Sequence, residues 1–273
     1  MNGAATLRPA LPLAAVGRFF GKPKGLLIAV LALLVALASY GGGTIVIPPS
    51  LLGAAFAAML VDAPILRWRK GRWVFPDGAL LTGMIVAMIL SRKEAWYVAP
   101  ATAVLAVLTK YPLRGRTANV FNPAALALVA SYYVFNPGED WWGAQPGNSA
   151  VAVLLLLVAG AYVANRVSRL PVLLWFLGAY FLLFTVTTFV GNPRNVAEIY
   201  RSPDVYMVLY FAFFMVTDPP TSPSRNRDQR VFGILTAVIS YAVFELVGAV
   251  WFLLAGLLLA NAWEAWRRSS RES

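Results

Sequence analysis

The chain has 273 residues, of which 59% are hydrophobic and 13% carry a charge, and its mean hydropathy is +0.67. Because a soluble domain carries about a quarter charged residues, this composition indicates a membrane protein. The chain contains neither cysteine nor histidine, which excludes disulfides, thiolate-bound iron–sulfur clusters, histidine-ligated haem and ordinary zinc sites. If the protein transfers electrons, an organic cofactor or a partner subunit has to carry them.

A basic stretch at residues 1–24 precedes a series of apolar segments. We expect spans at 25–47, 50–66, 79–90, 96–109, 124–135, 149–164, 171–190, 205–216, 231–245 and 246–263. A signal-peptide interpretation of the first segment is disfavoured, since the apolar run is too long and further spans follow it. The pattern predicts a single transmembrane domain at 25–263, with halves at about 25–135 and 149–263, and a cytoplasmic tail at 264–273.

Basic residues fall mostly on one side of the predicted membrane. With ten crossings and both termini inside, only Arg92, Lys93, Arg194 and Arg201 of the 23 Lys and Arg residues lie outside. Such asymmetry marks the cytoplasmic side, where anionic lipid attracts positive charge. The placement therefore predicts cytoplasmic termini, and it argues that the net charge of +11 serves the lipid bilayer rather than nucleic acid.

The fifth segment begins with two amides and a proline, in the sequence N-V-F-N-P-A-A-L-A-L-V from Asn119 to Val129. Asn122 with Pro123 is typical of a helix N-cap followed by a proline at the first helical position. Polar groups at membrane depth, however, usually line an interior path or pocket. The sequence leaves both interpretations open, and the second makes this stretch half of a ligand site.

A second polar element ends the eighth segment at Thr217-Asp218-Pro219-Pro220. It is either a helix stop with a solvated Asp218 or a site at which Asp218 accepts hydrogen bonds from ligand N–H groups. The predicted topology places this element on the same side as Asn119 and Asn122, so the two can meet. Asp62 and Glu245 are acids inside predicted spans, and each either pairs near an interface or lines a pathway.

The five-plus-five arrangement invites an inverted-repeat interpretation. Each half contains short segments interrupted by Gly or Pro, which is the sequence pattern of transporters with a site at the midplane. The expected fold is an all-α polytopic membrane protein with about ten transmembrane segments in two inverted five-helix halves and short broken helices at the centre.

Three motifs resemble those of the membrane subunits RnfD and NqrB of prokaryotic, flavin-dependent, ion-translocating electron transport complexes. They are D-G-A-L-L-T-G at Asp77–Gly83, the stretch Asn119–Val129, and F-F-M-V-T-D-P-P-T-S-P at Phe213–Pro223. The resemblance runs from about the second segment to the tenth. It implies a fold similar to that of urea transporters and a location in the prokaryotic cell (inner) membrane.

By this resemblance, the asparagines of an N-x-x-N-P motif and the aspartate of a T-D-P motif contact a non-covalent flavin, either riboflavin or FMN. They correspond here to Asn119, Asn122 and Asp218, and the predicted cofactor site also includes Pro123, Thr217, Thr82 and Gly83. Amides and a carboxylate can match the alternating carbonyl and N–H groups of a flavin ring edge. The protein would position the ring and tune its potential.

The chain departs from the family at the covalent flavin. In the family, a threonine of an S-G-A-T-type motif in the loop after the N-P helix carries a flavin phosphate. The corresponding loop here reads Trp142-Gly143-Ala144-Gln145-Pro146. Because an amide cannot form the phosphoester, Gln145 predicts that no covalent FMN is bound.

Three functions remain open at this point. The first is a divergent electron transport subunit, with or without ion coupling, that works with other membrane subunits or an extracytoplasmic redox carrier. The second is a channel or transporter for a small neutral solute or for flavin on the same fold. The third is a structural subunit that keeps the fold without a site. Retained flavin-contacting residues favour the first.

Overall fold

The computed structural model describes residues 17, 19–41, 44–115, 118–145, 150–190 and 199–272, and these residues are mostly α-helical. In chain order the helices are α1 (Pro23–Ala38), α2 (Pro49–Lys70), α3 (Asp77–Ile89), α4 (Val98–Thr109), α5 (Pro123–Phe135), α6 (Ala150–Arg166), α7 (Leu170–Val190), α8 (Asp204–Phe211), α9 (Asn226–Val247) and α10 (Phe252–Glu272). A π-helix, Ala212–Val216, continues α8, and a single 3-10 turn spans Trp142–Ala144. Two strands, β1 (Tyr40–Gly41) and β2 (Thr44–Ile45), form a short antiparallel pair.

The helices support a membrane location. In the described part of the chain, α2, α7 and α9 are long and apolar enough to cross a bilayer. Shorter apolar helices include α3, α4 and α5, and α8 with its π-helix forms another. This agrees with the expected all-α membrane protein with short helices, while ten crossings in two inverted halves and the cytoplasmic position of the termini stay predictions.

The first segment differs from its predicted bounds. Helix α1 starts at Pro23 and ends at Ala38, whereas a continuous span was expected at 25–47. Tyr40 pairs with Ile45 in the strand pair that follows. The sequence after Ser39 combines consecutive glycines with β-branched residues, and these favour turns and strands over a helix. The predicted length of this span was therefore wrong.

The last two segments also differ from the prediction. Helix α9 begins at Asn226 rather than 231 and runs to Val247, after which Gly248 adopts a left-handed conformation with φ +64°. Helix α10 then starts at Phe252 and continues to Glu272. The residues at 264–272 thus continue helix α10, and this continuation brings charged side chains to the site described below, while the cytoplasmic position of the tail stays a prediction.

Packing divides the helices into two groups. Helix α2 packs against α3 and α4, while α9 packs against α7 and α10. Contacts between α5 and α10 and between α1 and α6 join the helices of the first half of the chain to those of the second half. At the centre, the Tyr210 hydroxyl of α8 donates to the Met88 sulfur of α3 at 3.5 Å, and both side chains are fully buried. The two short helices are thereby held inside the bundle.

Candidate functional site

Asn122 starts helix α5 with its own side chain. Its backbone is extended, its Oδ1 accepts a hydrogen bond from the Ala125 N–H at 3.1 Å, and Pro123 occupies the first helical position. The N-cap interpretation of the sequence is therefore confirmed. Asn122 is only 6% exposed, and its amide nitrogen donates to no other described residue. The Asn122 side chain thus caps the helix with its oxygen, while its amide nitrogen stays available to donate to a ligand.

The T-D-P element folds back on the end of the π-helix. The Thr217 hydroxyl donates to the Phe213 carbonyl within the helix. One oxygen of the Asp218 carboxylate accepts from the Thr221 hydroxyl at 3.0 Å. The Asp218 carbonyl accepts from the Ser222 hydroxyl at 2.7 Å. These bonds fix the loop and leave the second carboxylate oxygen of Asp218 with no hydrogen bond to any described residue.

Asn261 of helix α10 joins the two motifs. Its Oδ1 accepts from the Asn122 backbone N–H at 2.9 Å, and its amide nitrogen donates to the Thr221 carbonyl at 3.3 Å. The Asn261 side chain is fully buried. The expectation that the Asn122 stretch and the Asp218 loop lie together is therefore met, through a residue that the sequence analysis did not single out.

Asn119 lies at the same end of the bundle. It is half-buried, and its carbonyl accepts a hydrogen bond from Arg268 Nη2 at 3.2 Å. Arg268 also lies near Glu264, with 3.6 Å between its Nε and a carboxylate oxygen. Asn261 and Glu264 stand three residues apart on α10, so they face the same way. This polar spacing in an apolar helix is the signal by which the sequence could have revealed them.

The start of helix α3 approaches the same cluster. Lys24 forms an ion pair with Asp77 at 2.9 Å, and its positive charge also lowers the pKa of the Asp218 carboxyl. Burial raises the pKa of the Asp218 carboxyl to about 6, against the lowering effects of the Thr221 hydrogen bond and of the Lys24 and Arg169 charges. All three sequence motifs thus have residues at one end of the molecule.

Thr82 and Gly83 serve packing in this structure. The Thr82 hydroxyl donates to the Gly78 carbonyl at 2.8 Å in its own helix. A Cβ on Gly83 would lie 2.7 Å from the Ala54 carbonyl oxygen and 2.8 Å from the Ala55 Cα. Gly83 therefore allows α3 and α2 to approach closely. A contact of Thr82 or Gly83 with a flavin stays a prediction.

A basic cleft of about 360 Å³ lies beside the Asp218 loop. Its wall includes Pro219 and Ser222 from that loop and charged residues from the following turn and from α10. Arg169 fixes one side, because its Nε donates to the Ser222 hydroxyl at 2.8 Å and the residue is 8% exposed. A cleft of this size is large enough for a small ligand or part of one.

The loop with Gln145 lies at the other end of helix α3. The Trp141 N–H donates to the Ile89 carbonyl at 3.0 Å, and the Trp142 indole donates to the Ala87 carbonyl at 2.7 Å. The Gln145 amide nitrogen donates to the Asp140 carbonyl at 2.8 Å. Asp77 and Ile89 are the opposite ends of α3. The Gln145 loop contacts the Ile89 end, whereas Asn122, Asn261 and Asp218 lie towards the Asp77 end, so the length of α3 separates the two places.

The family comparison matches the second half of the chain. The sequence profile of the NQR2, RnfD, RnfE family matches residues 139–264, a region that contains the Gln145 loop, the Asp218 loop and Asn261.

Curated relatives extend the match over most of the chain. The RnfD protein of Klebsiella pneumoniae, a subunit of its ion-translocating oxidoreductase complex, is 23% identical over 315 aligned positions, which cover 86% of this chain and 88% of that protein. The subunits of the same name from Shigella dysenteriae and Escherichia coli are 22% identical with the same coverage. The resemblance to the RnfD and NqrB membrane subunits is therefore confirmed.

Proposed function

We propose that this chain is a membrane subunit of an ion-translocating oxidoreductase complex and that it holds a non-covalent flavin, riboflavin or FMN, beside Asn119, Asn122 and Asp218. The supporting observation is the Asn261 bridge, which holds the N-P stretch and the T-D-P loop at one end of the bundle. The relatives that match over most of the chain are subunits of such complexes by name.

The donor and acceptor groups suit a flavin ring. Among the described residues, the Asn122 amide nitrogen and one Asp218 oxygen make no hydrogen bond, so a ligand carbonyl and a ligand N–H can meet them. The remaining polar atom of each side chain has a local partner: the Asn122 oxygen accepts from the Ala125 N–H, and the other Asp218 oxygen accepts from the Thr221 hydroxyl. These local bonds fix the positions of the Asn122 amide nitrogen and the second Asp218 oxygen, which lowers the entropy cost of ordering them when a ligand binds. A bound flavin would supply one- and two-electron chemistry that no side chain offers.

The same proposal excludes a covalent flavin on Gln145. Its side chain is an amide bonded to the Asp140 carbonyl, and an amide cannot form a phosphoester. An outer electron carrier would then have to come from another membrane subunit or from an extracytoplasmic redox protein. We place the protein in a prokaryotic cell membrane with both termini cytoplasmic, because that orientation puts most basic residues inside.

The packing of the two short helices favours electron transfer over solute transport. Tyr210 and Met88 contact each other where α8 and α3 meet, and neither side chain is exposed. A channel would need a hydrated passage between broken helices, and the buried contact between these two side chains supports a packed interior at this point instead.

Visible absorption of the detergent-purified protein from flavin-replete cells tests the proposal. We expect a yellow protein whose colour is lost on acid denaturation and is strongly reduced by Asp218→Ala. The control is Glu245→Gln, an exposed carboxyl at the far end of α9, which should retain its colour. A colourless folded wild type would overturn flavin binding, and fluorescence that stays with the denatured band in a gel would overturn the absence of covalent flavin.

A further inference from the structure

The basic cleft beside the Asp218 loop has an uneven charge. Its charged lining consists of Arg169, Arg225, Asp228, Glu264, Arg267 and Arg268. Four guanidinium groups thus face two carboxylates, and the residues belong to the turn before α7, the start of α9 and the end of α10. A cleft formed by three separate elements keeps its shape better than one formed by a single loop.

The carboxylates of Asp228 and Glu264 both form a close ion pair with Arg267. Arg267 lies with Nη1 2.7 Å from the Asp228 carboxylate and Nη2 2.7 Å from the Glu264 carboxylate. The contact between Glu264 and Arg268 is longer, at 3.6 Å. In the part of the chain that the structure describes, Arg169 and Arg225 form no ion pair. The cleft therefore carries more positive charge than its two carboxylates can neutralise.

Arg169 is held rigidly at the inner side of the cleft. Its Nε donates to the Ser222 hydroxyl at 2.8 Å, and its Nη2 donates to the Ser222 carbonyl at 3.4 Å. Burial lowers the pKa of its guanidinium, while the charges of Asp218 and Glu264 raise it. A partly buried cation without a direct ionic partner is costly, and a bound anion would remove that cost.

We propose that this cleft binds an anionic phosphate group. Guanidinium groups bind phosphate oxygens in pairs of parallel charge-assisted hydrogen bonds, and Arg225, which lines the cleft and is exposed, is available for such a contact. Two sources carry this chemistry. One is the phosphate of FMN with its ring beside Asp218, a source that rests on the proposed function. The other is the head group of an anionic phospholipid, since basic pockets between membrane helices bind such groups.

Titration of the full-length protein with inorganic phosphate tests the cleft itself. We expect a saturable rise in thermal stability beyond that produced by sodium chloride at equal ionic strength. Arg225→Gln should weaken the phosphate affinity about tenfold, as for loss of a charge-assisted contact. The matched control is Arg227→Gln, an equally exposed arginine two residues along that does not line the cleft. No saturable effect, or equal weakening in both variants, would overturn the proposal.

A second experiment separates the two sources. Flavin-depleted protein is titrated with FMN and with riboflavin, and lipids that co-purify are measured by native mass spectrometry. About tenfold tighter binding of FMN, abolished by Arg225→Gln, assigns the cleft to the cofactor phosphate. Equal affinities, together with phosphatidylglycerol that is lost in Arg225→Gln but kept in Arg227→Gln, assign it to lipid. A protein that binds neither flavin fails the proposed function, whereas the phosphate titration still decides the cleft.

Discussion

The backbone N–H of Asn122 donates to the side-chain oxygen of Asn261 at 2.9 Å, although the two residues are 139 positions apart. The start of α5 and the Asp218 loop contact each other through this one buried side chain, because the same amide also donates to the Thr221 carbonyl. The relative position of the two motifs thus depends on helix α10 as much as on the motifs themselves.

Replacing Asn261 by leucine should destabilise the protein. The substitution leaves a buried N–H and a buried carbonyl unpaired, and each costs about 1–3 kcal/mol. We expect the free energy of unfolding to fall by about 2 kcal/mol or more, read as a lower midpoint in thermal unfolding followed by tryptophan fluorescence. The control is Asn165→Leu at an exposed position of α6, for which a change within about 0.5 kcal/mol is expected. Equal midpoints for the two variants would show that the bridge contributes nothing.

Flavin affinity should depend on pH through Asp218. Burial raises the pKa of this carboxyl from 3.8 to about 6. The carboxylate is therefore the acceptor at pH 8 and is progressively lost as the pH falls through about 6. Equilibrium titration should show constant affinity above pH 7 and weaker binding at pH 5.

The Asp218→Asn variant checks the origin of that dependence. An amide oxygen is a weaker acceptor than a carboxylate, so we expect about tenfold weaker binding at pH 8 and a flat profile between pH 5 and 8. Glu245→Gln, also a carboxyl-to-amide change, should keep the wild-type profile. If Asp218→Asn retains the same pH profile, another group carries the dependence.

Gly83 should tolerate no side chain, because the space that a Cβ would need is already filled by the backbone of α2. A Cβ there would lie only 2.7 Å from the Ala54 oxygen, so Gly83→Ala must push α3 away from α2, at a cost of about 1–3 kcal/mol. Gly178→Ala is the matched control, since a Cβ there meets no atom within 4 Å and alanine favours a helix over glycine. The midpoint of thermal unfolding should therefore fall in Gly83→Ala and rise in Gly178→Ala.

The same pair of variants tests the cofactor prediction for Gly83. If Gly83 only packs helices, the folded fraction of Gly83→Ala should bind flavin with wild-type affinity. A loss of affinity in folded protein would instead place Gly83 at the ligand.

The sequence predicted short helices well where strong local signals bound them. Asp77 opens α3 and the Asn122–Pro123 pair opens α5, and both helices match the predicted segments closely. Hydropathy failed for α9 because its first turn, from Asn226 to Arg230, is charged and polar although helical. It failed for α10 for the same reason at its other end.

The members of the site were harder to predict than the helices. Asn122 and Asp218 were found because a proline beside a polar residue is a local pattern. Asn261 and Arg268 were missed because their importance lies in contacts with residues about 140 positions away. The polar spacing of Asn261 and Glu264 marks this face of α10, but no local pattern identifies the distant residues that it contacts, because only the packing of α10 against α5 brings them together.

Asp62 and Lys110 should be energetically coupled. The Asp62 carboxylate of α2 is bonded to Lys110 at 2.5 Å, at the end of α4, and to the Tyr111 hydroxyl. Asp62 is almost fully buried, with 2% of its side chain exposed against 20% for Lys110. Lys110→Met should therefore destabilise more than Asp62→Asn, because it leaves a buried charge unpaired.

A double-mutant cycle measures this coupling. Asp62→Asn with Lys110→Met should lose less stability than the two single variants together, by about 1–3 kcal/mol. Additive losses would mean that the ion pair contributes no coupling energy to the fold.

Glu139 should make stability depend on pH at the Gln145 loop. Both of its carboxylate oxygens are buried and have no hydrogen-bond partner among the described residues, while its backbone pairs with Leu90 at the end of α3. Burial raises the pKa of the carboxyl from 4.5 to about 7. The folded protein therefore binds more protons than the unfolded chain between these values, so this contribution to stability is complete below about pH 4.5 and is lost as the pH rises through about 7.

Glu139→Gln removes the charge that has to be buried. Thermal unfolding should show this variant to be more stable than the wild type at pH 8, with the difference shrinking towards pH 5, where Glu139 is neutral. Other acids titrate equally in both proteins, so the difference between the two profiles isolates this residue. The exposed Glu245→Gln should run parallel to the wild type across the range. A constant difference between Glu139→Gln and the wild type would mean that the carboxyl is already paired or solvated when ionised.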